Sequence, residues 1–318
     1  MYHLAQPRAT AARPPRRRRR AFALAALAAG AFAAAAPVAS ATAAAANVTV
    51  TSHFVWTATA ANSSGDSTFI NNAATNGRPG AILFITPNWN QGGVCGCVYD
   101  SSPVGVWYST SAGKWAIFNQ NLSAIPAGAS FNVLVVPAAN SKVFVQTAIT
   151  ANSDGDSTYL NNTLTNSRPQ TRVMVTPVWN PGGSGGVYNN HPVGVWYDHR
   201  RSRWAIFNED VADMPLGASF NVMLGNKPSG GGASAIQVAT AANTGGDSTF
   251  ISNATTTGNP NAVVFDTPNW NPNGVGGTYD RPPTGIWWSG GNSQAAVFNQ
   301  DGSAMPRNAA FNLIIFQS

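Results

Sequence analysis

The sequence predicts an all-β protein built from three tandem copies of one antiparallel β-sandwich or small-barrel module. The signature Gly-Asp-Ser-Thr-aromatic begins at Gly65, Gly155 and Gly246, at intervals of 90 and 91 residues. Three further motifs follow in the same order in every copy: Thr-Pro-x-Trp-Asn, Gly-Val/Ile-Trp-Tyr/Trp and Phe-Asn-Val/Leu. A fixed period with motifs in fixed order indicates one duplicated unit. The apolar runs are short, rich in β-branched and aromatic residues and bounded by Gly, Pro and Asn, which is typical of strands.

The second copy shows the expected strands most clearly. They cover 143–150, 171–176, 193–197, 203–208 and 218–224, with shorter ones near 158–160 and 187–188. Runs 193–197 and 204–207 form the best hairpin. Because side chains alternate across a sheet, Trp196 and Tyr197 cannot both face one core. Both faces carry apolar groups, so we expect one face inside the module and the other covered or adhesive.

Two sets of tryptophans receive opposite assignments. Trp107, Trp196 and Trp287 stand inside a strand in all three copies, which favours a core position. Trp115 and Trp204 have Gln294 as their counterpart in the third copy, which favours the surface.

Residues 1–46 are predicted to be a removable export signal. Five arginines at 16–20 precede an alanine-rich apolar run that ends near residue 36, and small-x-small cleavage patterns follow at 39–43. The run is too short and too rich in alanine for a good membrane anchor. Both the general secretory and the twin-arginine route remain open, because Arg19-Arg20-Ala21-Phe22 loosely fits the latter. The pattern indicates a secreted bacterial protein.

The charge balance of the exported chain argues against nucleic acid as a partner. Seven of the 18 basic residues lie in the signal, which leaves 11 basic and 12 acidic residues. No basic patch repeats among the copies, so the electrostatic footprint of a nucleic-acid-binding protein is missing from the sequence.

Composition sets the module boundaries. We expect modules at 47–137, 142–225 and 235–318, with a Gly-rich linker at 226–234. Each module has the full set of motifs, so the sequence predicts units that fold independently, like beads on a string. Contact between the second and third units is expected to be limited.

Catalysis, cofactors and metals are not predicted. No histidine recurs in the copies, and Asp66, Asp156 and Asp247 form the only acidic position common to all three. One carboxylate per unit does not make the acid–base pair that glycoside hydrolysis uses. The segment 152–158 resembles a calcium loop, but one Asp alone is retained, which favours a hairpin turn. Cys95 and Cys97, present in the first copy alone, are expected to form a local disulfide or to join other chains.

Thr-Pro-x-Trp-Asn is the best candidate for a binding motif. An aromatic ring beside an amide at a strand end suits a sugar, because the ring stacks and the amide pairs with hydroxyls. The alternative is a structural Trp that plugs one end of the module. The candidate ligand-binding residues are Trp89, Asn90, Trp179, Asn180, Trp270 and Asn271.

The motifs run from Gly-Asp-Ser-Thr through Thr-Pro-x-Trp-Asn and Pro-Val-Gly-Val-Trp-Tyr to Ala-Ile-Phe-Asn and Phe-Asn-Val. Together they resemble a family of uncharacterised repeats in secreted bacterial proteins. The resemblance implies export and a tandem modular arrangement, and it supplies no catalytic or binding residue. The function expected from the sequence is non-catalytic binding of glycan or cell-envelope polymer through several weak sites. The alternatives are a structural or self-associating extracellular surface protein, and a polysaccharide-acting enzyme with one active copy. The sequence does not fix the oligomeric state.

Overall fold

The computed structural model describes residues 50–225 and 232–317. The predicted export signal at 1–46 and positions 226–231 of the predicted linker lie outside the described residues. The rest of that linker is partly structured, because a strand begins at Ala233. Within the described ranges, no helix is long and apolar enough to cross a membrane.

The described chain is almost entirely strand and loop. Repeat one contains β1 Ser52–Thr57, β2 Ser63–Ser64, β3 Ser67–Phe69, β4 Ile82–Pro87, β5 Val104–Ser109, β6 Lys114–Asn119 and β7 Ser130–Val136. Repeat two contains β8 Val143–Thr147, β9 Ser153–Asp154, β10 Ser157–Tyr159, β11 Val173–Pro177, β12 Val193–Asp198, β13 Arg203–Asn208 and β14 Ser219–Leu224. Repeat three contains β15 Ala233–Val238, β16 Thr244–Gly245, β17 Ser248–Phe250, β18 Val263–Pro268, β19 Thr284–Ser289, β20 Gln294–Asn299 and β21 Ala310–Phe316. Short 3-10 turns occupy Gln91–Gly93, Pro181–Gly183 and Pro272–Gly274.

Each repeat is a two-layer antiparallel sandwich, as the sequence predicts. In repeat one a three-stranded sheet has the order β1-β7-β4, and a four-stranded sheet has the order β2-β3-β6-β5. The other two repeats have the same two sheets in the same order. The inner faces of the sheets enclose an apolar core, which in repeat one includes Leu83, Trp115, Ile117 and Phe131. The sheets do not close into a barrel.

The predicted beads-on-a-string arrangement is wrong. A further apolar core takes buried side chains from all three repeats, among them Phe84, Met174 and Phe265. These side chains lie on the outer faces of the three-stranded sheets; in β4, residues of both faces are buried. Strands with two apolar faces need two partners, and the second partner here is the other two repeats. The three sandwiches therefore share a central core.

Two sets of hydrogen bonds arrange the repeats with pseudo-threefold symmetry. In each repeat a threonine hydroxyl accepts a bond from a neighbour's backbone N–H, and an asparagine amide donates to a neighbour's carbonyl. The threonine bonds are Ile85 N to Thr176 Oγ1, Val175 N to Thr267 Oγ1 and Asp266 N to Thr86 Oγ1, each 3.1 Å. The asparagine bonds are Asn132 Nδ2 to Val264 O, Asn221 Nδ2 to Leu83 O and Asn312 Nδ2 to Val173 O, at 2.7, 2.9 and 3.0 Å. Every repeat contacts both others, so the ring is closed.

Candidate binding pockets at the junctions between repeats

Three junctions with the same arrangement join the repeats. The first junction lies between repeats one and two, the second between repeats two and three, and the third between repeats three and one. At the first, Asn180 Oδ1 accepts from Tyr108 N at 2.8 Å and Asn180 Nδ2 donates to Tyr108 O at 2.9 Å. Asn271 makes the same pair of bonds with Tyr197, and Asn90 makes it with Trp288. Both atoms of each amide that we expected to face a ligand are therefore bonded between repeats.

The tryptophan of Thr-Pro-x-Trp-Asn is half-buried at each junction. Its ring meets a tryptophan of the neighbouring repeat almost at a right angle. The pairs are Trp107–Trp179, Trp196–Trp270 and Trp89–Trp287, with ring centroids 6.3, 6.1 and 6.2 Å apart and interplanar angles of 85°, 83° and 87°. The predicted core position of Trp107, Trp196 and Trp287 is wrong, because these side chains are also half-buried.

A tyrosine and a phenylalanine complete an aromatic corner at each junction. Tyr188 lies 5.6 Å from Trp179 of its own repeat and 6.0 Å from Phe118 of the preceding repeat. The other junctions use Tyr279 with Trp270 and Phe207, and Tyr99 with Trp89 and Phe298. Gly105, in β5, makes room for this corner: a Cβ there would lie 2.9 Å from the Phe118 ring and 3.1 Å from the Pro177 carbonyl oxygen.

The Gly-Asp-Ser-Thr signature fixes one wall of the corner. Trp107 Nε1 donates to Ser67 Oγ at 3.1 Å, and Ser67 Oγ donates to Asp66 Oδ1 at 2.8 Å. The same relay runs from Trp196 through Ser157 to Asp156, and from Trp287 through Ser248 to Asp247. The turn itself is held by a different residue, since Asn62 Oδ1 accepts from Thr59 N at 2.8 Å. The repeated Asp therefore places a carboxylate beside this wall in every repeat.

Cavities open where these groups meet. The first junction pocket, of about 140 Å³, is lined by Asp66, Ser67, Trp107, Phe118, Trp179 and Tyr188. The third junction pocket, of about 120 Å³, is lined by Trp89, Tyr99, Asp247, Trp287 and Phe298. The second junction has the same residue types, and there the guanidinium carbon of Arg281 lies 6.0 Å from the centre of the Tyr279 ring.

A glycine loop covers part of the tryptophan in two repeats. A Cβ added to Gly186 would collide with the Trp179 indole, and one added to Gly277 would collide with the Trp270 indole. The indole Nε1 atoms of Trp89, Trp179 and Trp270 are buried and have no hydrogen-bond partner among the described residues. These rings are therefore walls of a corner and not open platforms.

Buried acids lie at the second and third junctions. Burial raises the pKa of Asp100 to about 6 and that of Asp280 to about 7. Each carboxylate accepts a bond from an asparagine, Asn119 or Asn299, at 3.1 Å. Burial also raises the pKa of Glu209, whose Oε2 accepts from Asp280 N at 3.2 Å across the second junction. Gln120 and Gln300 make the corresponding bonds at the other junctions, so this position joins repeats.

The negative charge of the second junction acts on Tyr279. Burial raises the pKa of its phenol, the charges of Asp156 and Glu209 raise it further, and Arg281 opposes them. Asp156 belongs to repeat two and Tyr279 to repeat three. The repeated Asp of repeat two therefore acts electrostatically on the tyrosine of repeat three.

Cys95 and Cys97 are joined by a disulfide, with Cα atoms 4.8 Å apart. Cys97 N donates to Trp89 O at 2.9 Å, so the bridged loop lies against the third junction. In the part of the chain that the structure describes, no group of three His, Cys, Asp or Glu residues is placed to hold a metal ion.

Comparison with protein families identifies the repeats. The family model described as a domain of unknown function, DUF7452, matches residues 39–135, 105–224 and 201–315. The chain belongs to the DUF7452 family. The second and third DUF7452 matches begin inside the preceding repeat, so the matched segments overlap at 105–135 in repeat one and at 201–224 in repeat two. No curated protein and no solved structure matches the chain.

Sequence reasoning missed most of the junction residues of this DUF7452 chain. The sequence pattern places Asp66 in a turn and Trp107 in the core, and it indicates no role for Tyr188 and Phe118. The available signal was repetition, because the tyrosine and the phenylalanine recur in all three copies. What could not be deduced was the pairing, since each pocket takes its walls from two repeats whose contact was not expected.

Proposed function

We propose that this chain is an exported, non-catalytic binding protein that holds a glycan or another cell-envelope polymer in its junction pockets. One observation carries the proposal: the same aromatic corner with one carboxylate is built at all three junctions. Half-buried Trp and Tyr rings beside a polar group are common in ligand sites. A repeated single carboxylate supplies recognition but not the paired acids of hydrolysis.

A polymer is the ligand best matched to this arrangement. Pockets of 120 and 140 Å³ are smaller than the roughly 300 Å³ or more typical of drug-sized ligands, so each holds one small group. One such contact is weak. Because the junctions are fixed in one body, a polymer that carries the group repeatedly can occupy several pockets and gain avidity. The predicted export signal would bring the protein to such polymers.

The tyrosines offer a direct test. Tyr99, Tyr188 and Tyr279 are 50%, 43% and 40% exposed, so replacing them by Ala removes a wall with little loss of stability. We expect the triple variant to keep its melting temperature within a few degrees and to lose retention on purified cell-envelope polymer. Leu164→Ala, the loss of a partly exposed side chain that lines neither the first nor the third junction pocket, should keep retention. Equal retention by the triple variant and the wild type would refute the proposal.

A self-associating surface protein is the second candidate. Repeat two exposes Ile149 and Leu216, at 50% and 56%, beside Val187, which contacts Gly217. Repeats one and three have Thr59 and Ala127, and Thr240 and Arg307, at the two exposed positions. A concentration-dependent dimer in sedimentation that Leu216→Arg abolishes would favour this candidate.

A further inference from the structure

The shape of the junction pockets indicates which group of the polymer they hold. Sugar binding by stacking uses an open aromatic face with free amides beside it. Here the Trp179 indole is partly covered by the loop at Gly186, and both amide atoms of Asn180 are bonded to Tyr108. Trp107 stands across Trp179 at 85°, so the rings form a corner rather than a platform. A compact group that contacts several rings at once fits this space better than a sugar ring.

The charge around the pockets favours a cation. Asp66 lines the first junction pocket and Asp247 the third, and no Lys or Arg of the described chain lines either one. Aromatic faces attract cations through their quadrupole, and this attraction strengthens when water is excluded. A cation in such a pocket is therefore attracted both by the faces of the Trp, Tyr and Phe rings and by the nearby carboxylate.

The second junction contains an example of this preference. The guanidinium carbon of Arg281 lies 6.0 Å from the centre of the Tyr279 ring, and the charge of Asp156 raises the pKa of the same phenol. Ser101 and Asn190 occupy the corresponding positions in the other repeats. Where a cation is available from the chain itself, it thus lies against the aromatic corner. The other two corners have the same walls and carboxylate without that side chain.

We propose that the first and third junction pockets bind a quaternary ammonium group, such as the choline head group, carried as a substituent on the polymer. This inference rests on the proposed function and names the group that the pockets recognise. A methylated ammonium has a large apolar surface and a diffuse charge, so it contacts several rings and is desolvated at low cost. Asp66 and Asp247 balance its charge.

Calorimetric titration with choline chloride tests the proposal. The matched probe is 3,3-dimethylbutan-1-ol, which has the shape of choline without its charge. We expect saturable choline binding and at least about tenfold weaker binding of the neutral analogue. The double variant Asp66→Asn, Asp247→Asn should lose choline binding to a similar extent while melting like the wild type. Asn retains the oxygen that accepts from Ser67 or Ser248. Asp154→Asn, the same charge change at an exposed site outside the pockets, should bind normally.

Polymer retention separates the failure of this inference from failure of the proposed function. One result would overturn the quaternary ammonium assignment and leave polymer binding intact. In that case the wild type is retained on polymer, the triple tyrosine variant is not, and added choline has no effect on retention. Absence of both choline binding and retention would overturn both. Tighter binding of a trimethyl-lysine peptide than of choline-bearing polymer would overturn the assignment to a polymer.

Discussion

Asn180 connects two repeats with one side chain because its amide can donate and accept hydrogen bonds at the same time, as a peptide group does. The side-chain amide bonds to both the N–H and the C=O of Tyr108. It therefore pairs with the edge of β5 as a residue of a neighbouring strand would. Val106 and Val178 form a parallel bridge beside it. The repeated Trp-Asn dipeptide thus combines a pocket wall with an intramolecular clasp. Sequence alone cannot separate these roles, because a free amide and a clasp use the same residue.

Replacing this clasp should weaken the first junction. Asn180→Ala leaves the N–H and C=O of Tyr108 buried without partners, at about 1–3 kcal/mol for each group. We expect the free energy of unfolding, measured by urea denaturation, to fall by roughly 2 kcal/mol or more. Asn190→Ala, a change at an exposed asparagine, is the control and should stay within about 0.5 kcal/mol of the wild type. Equal effects of the two changes would show that the clasp contributes nothing.

The buried Asp280 should make stability depend on pH. Its pKa rises from 3.8 to about 7 on folding, so the folded state holds the proton more tightly than the unfolded state. The stabilisation is complete below about pH 4 and is lost as the pH rises through about 7. We expect Asp280→Asn, which copies Asn189 of repeat two, to raise stability at pH 8 by on the order of 1–2 kcal/mol and to flatten the slope between pH 5 and 8. Asp213→Asn, at an exposed carboxylate, should keep the slope.

At the level of elements, the β12–β13 hairpin explains which sequence predictions held. Alternation correctly placed Trp196 and Tyr197 on opposite faces, since Tyr197 is buried in the core and Trp196 is half-buried at a junction. Alternation could not say which face was the core, because a neighbouring repeat covers the other. The assignment of Trp204 to the surface was also wrong, because the side chain is fully buried.

The strand register gives the reason for that second error. Trp204 pairs with Tyr197 and Ala295 pairs with Trp288, so Ala295, not Gln294, is the counterpart of Trp204. Repeats one and two place a Tyr beside a Trp, with ring centroids 5.6 Å apart, and repeat three places a Trp beside an Ala. In repeat three the tryptophan of the pair therefore stands on β19, and the facing position on β20 holds a small residue. An alignment that slips by one residue conceals this substitution.

Two tryptophans of this hairpin should respond differently to truncation. Trp204→Ala opens the sandwich core and should lower the free energy of unfolding by about 3–5 kcal/mol. Trp196→Ala removes a half-buried wall and should cost clearly less, while perturbing the second junction. Chemical denaturation of both variants, with the wild type alongside, checks the order. A larger loss for Trp196→Ala would contradict the core assignment.

For the whole molecule, the sequence predicted the repeats, the strands and the sandwich, but not their association. The apolar outer face of β4 was visible as a second hydrophobic stripe in Ile82 and Phe84. Its partner could not be identified, because a covered face and an adhesive face look the same in one sequence. The structure supplies the partner in the other repeats, with Met174, Phe265 and Phe316 in the same core.

An isolated repeat should therefore not behave as a folded monomer. The segment 235–318, expressed alone, would expose Phe265, Ile314 and Phe316 to water and leave the backbone N–H and C=O of Trp288 without their partner in repeat one. We expect this segment to be unfolded or to associate into trimers. Residues 47–318 should instead be folded and should unfold in one cooperative transition. Circular dichroism and sedimentation at several concentrations distinguish these states. A stable monomer of 235–318 would restore the view of independent modules.

The clasp between Asn90 and Trp288 links the first repeat to the last, and this fixes how many repeats the protein can have. An open array can gain or lose a unit at either end, because each unit contacts only its neighbours. A closed set of three has no free end, so an in-frame deletion of one unit exposes two junctions and opens the central core. Relatives with this architecture should carry their units in multiples of three. A relative with a single unit should reach the same form by assembling three chains.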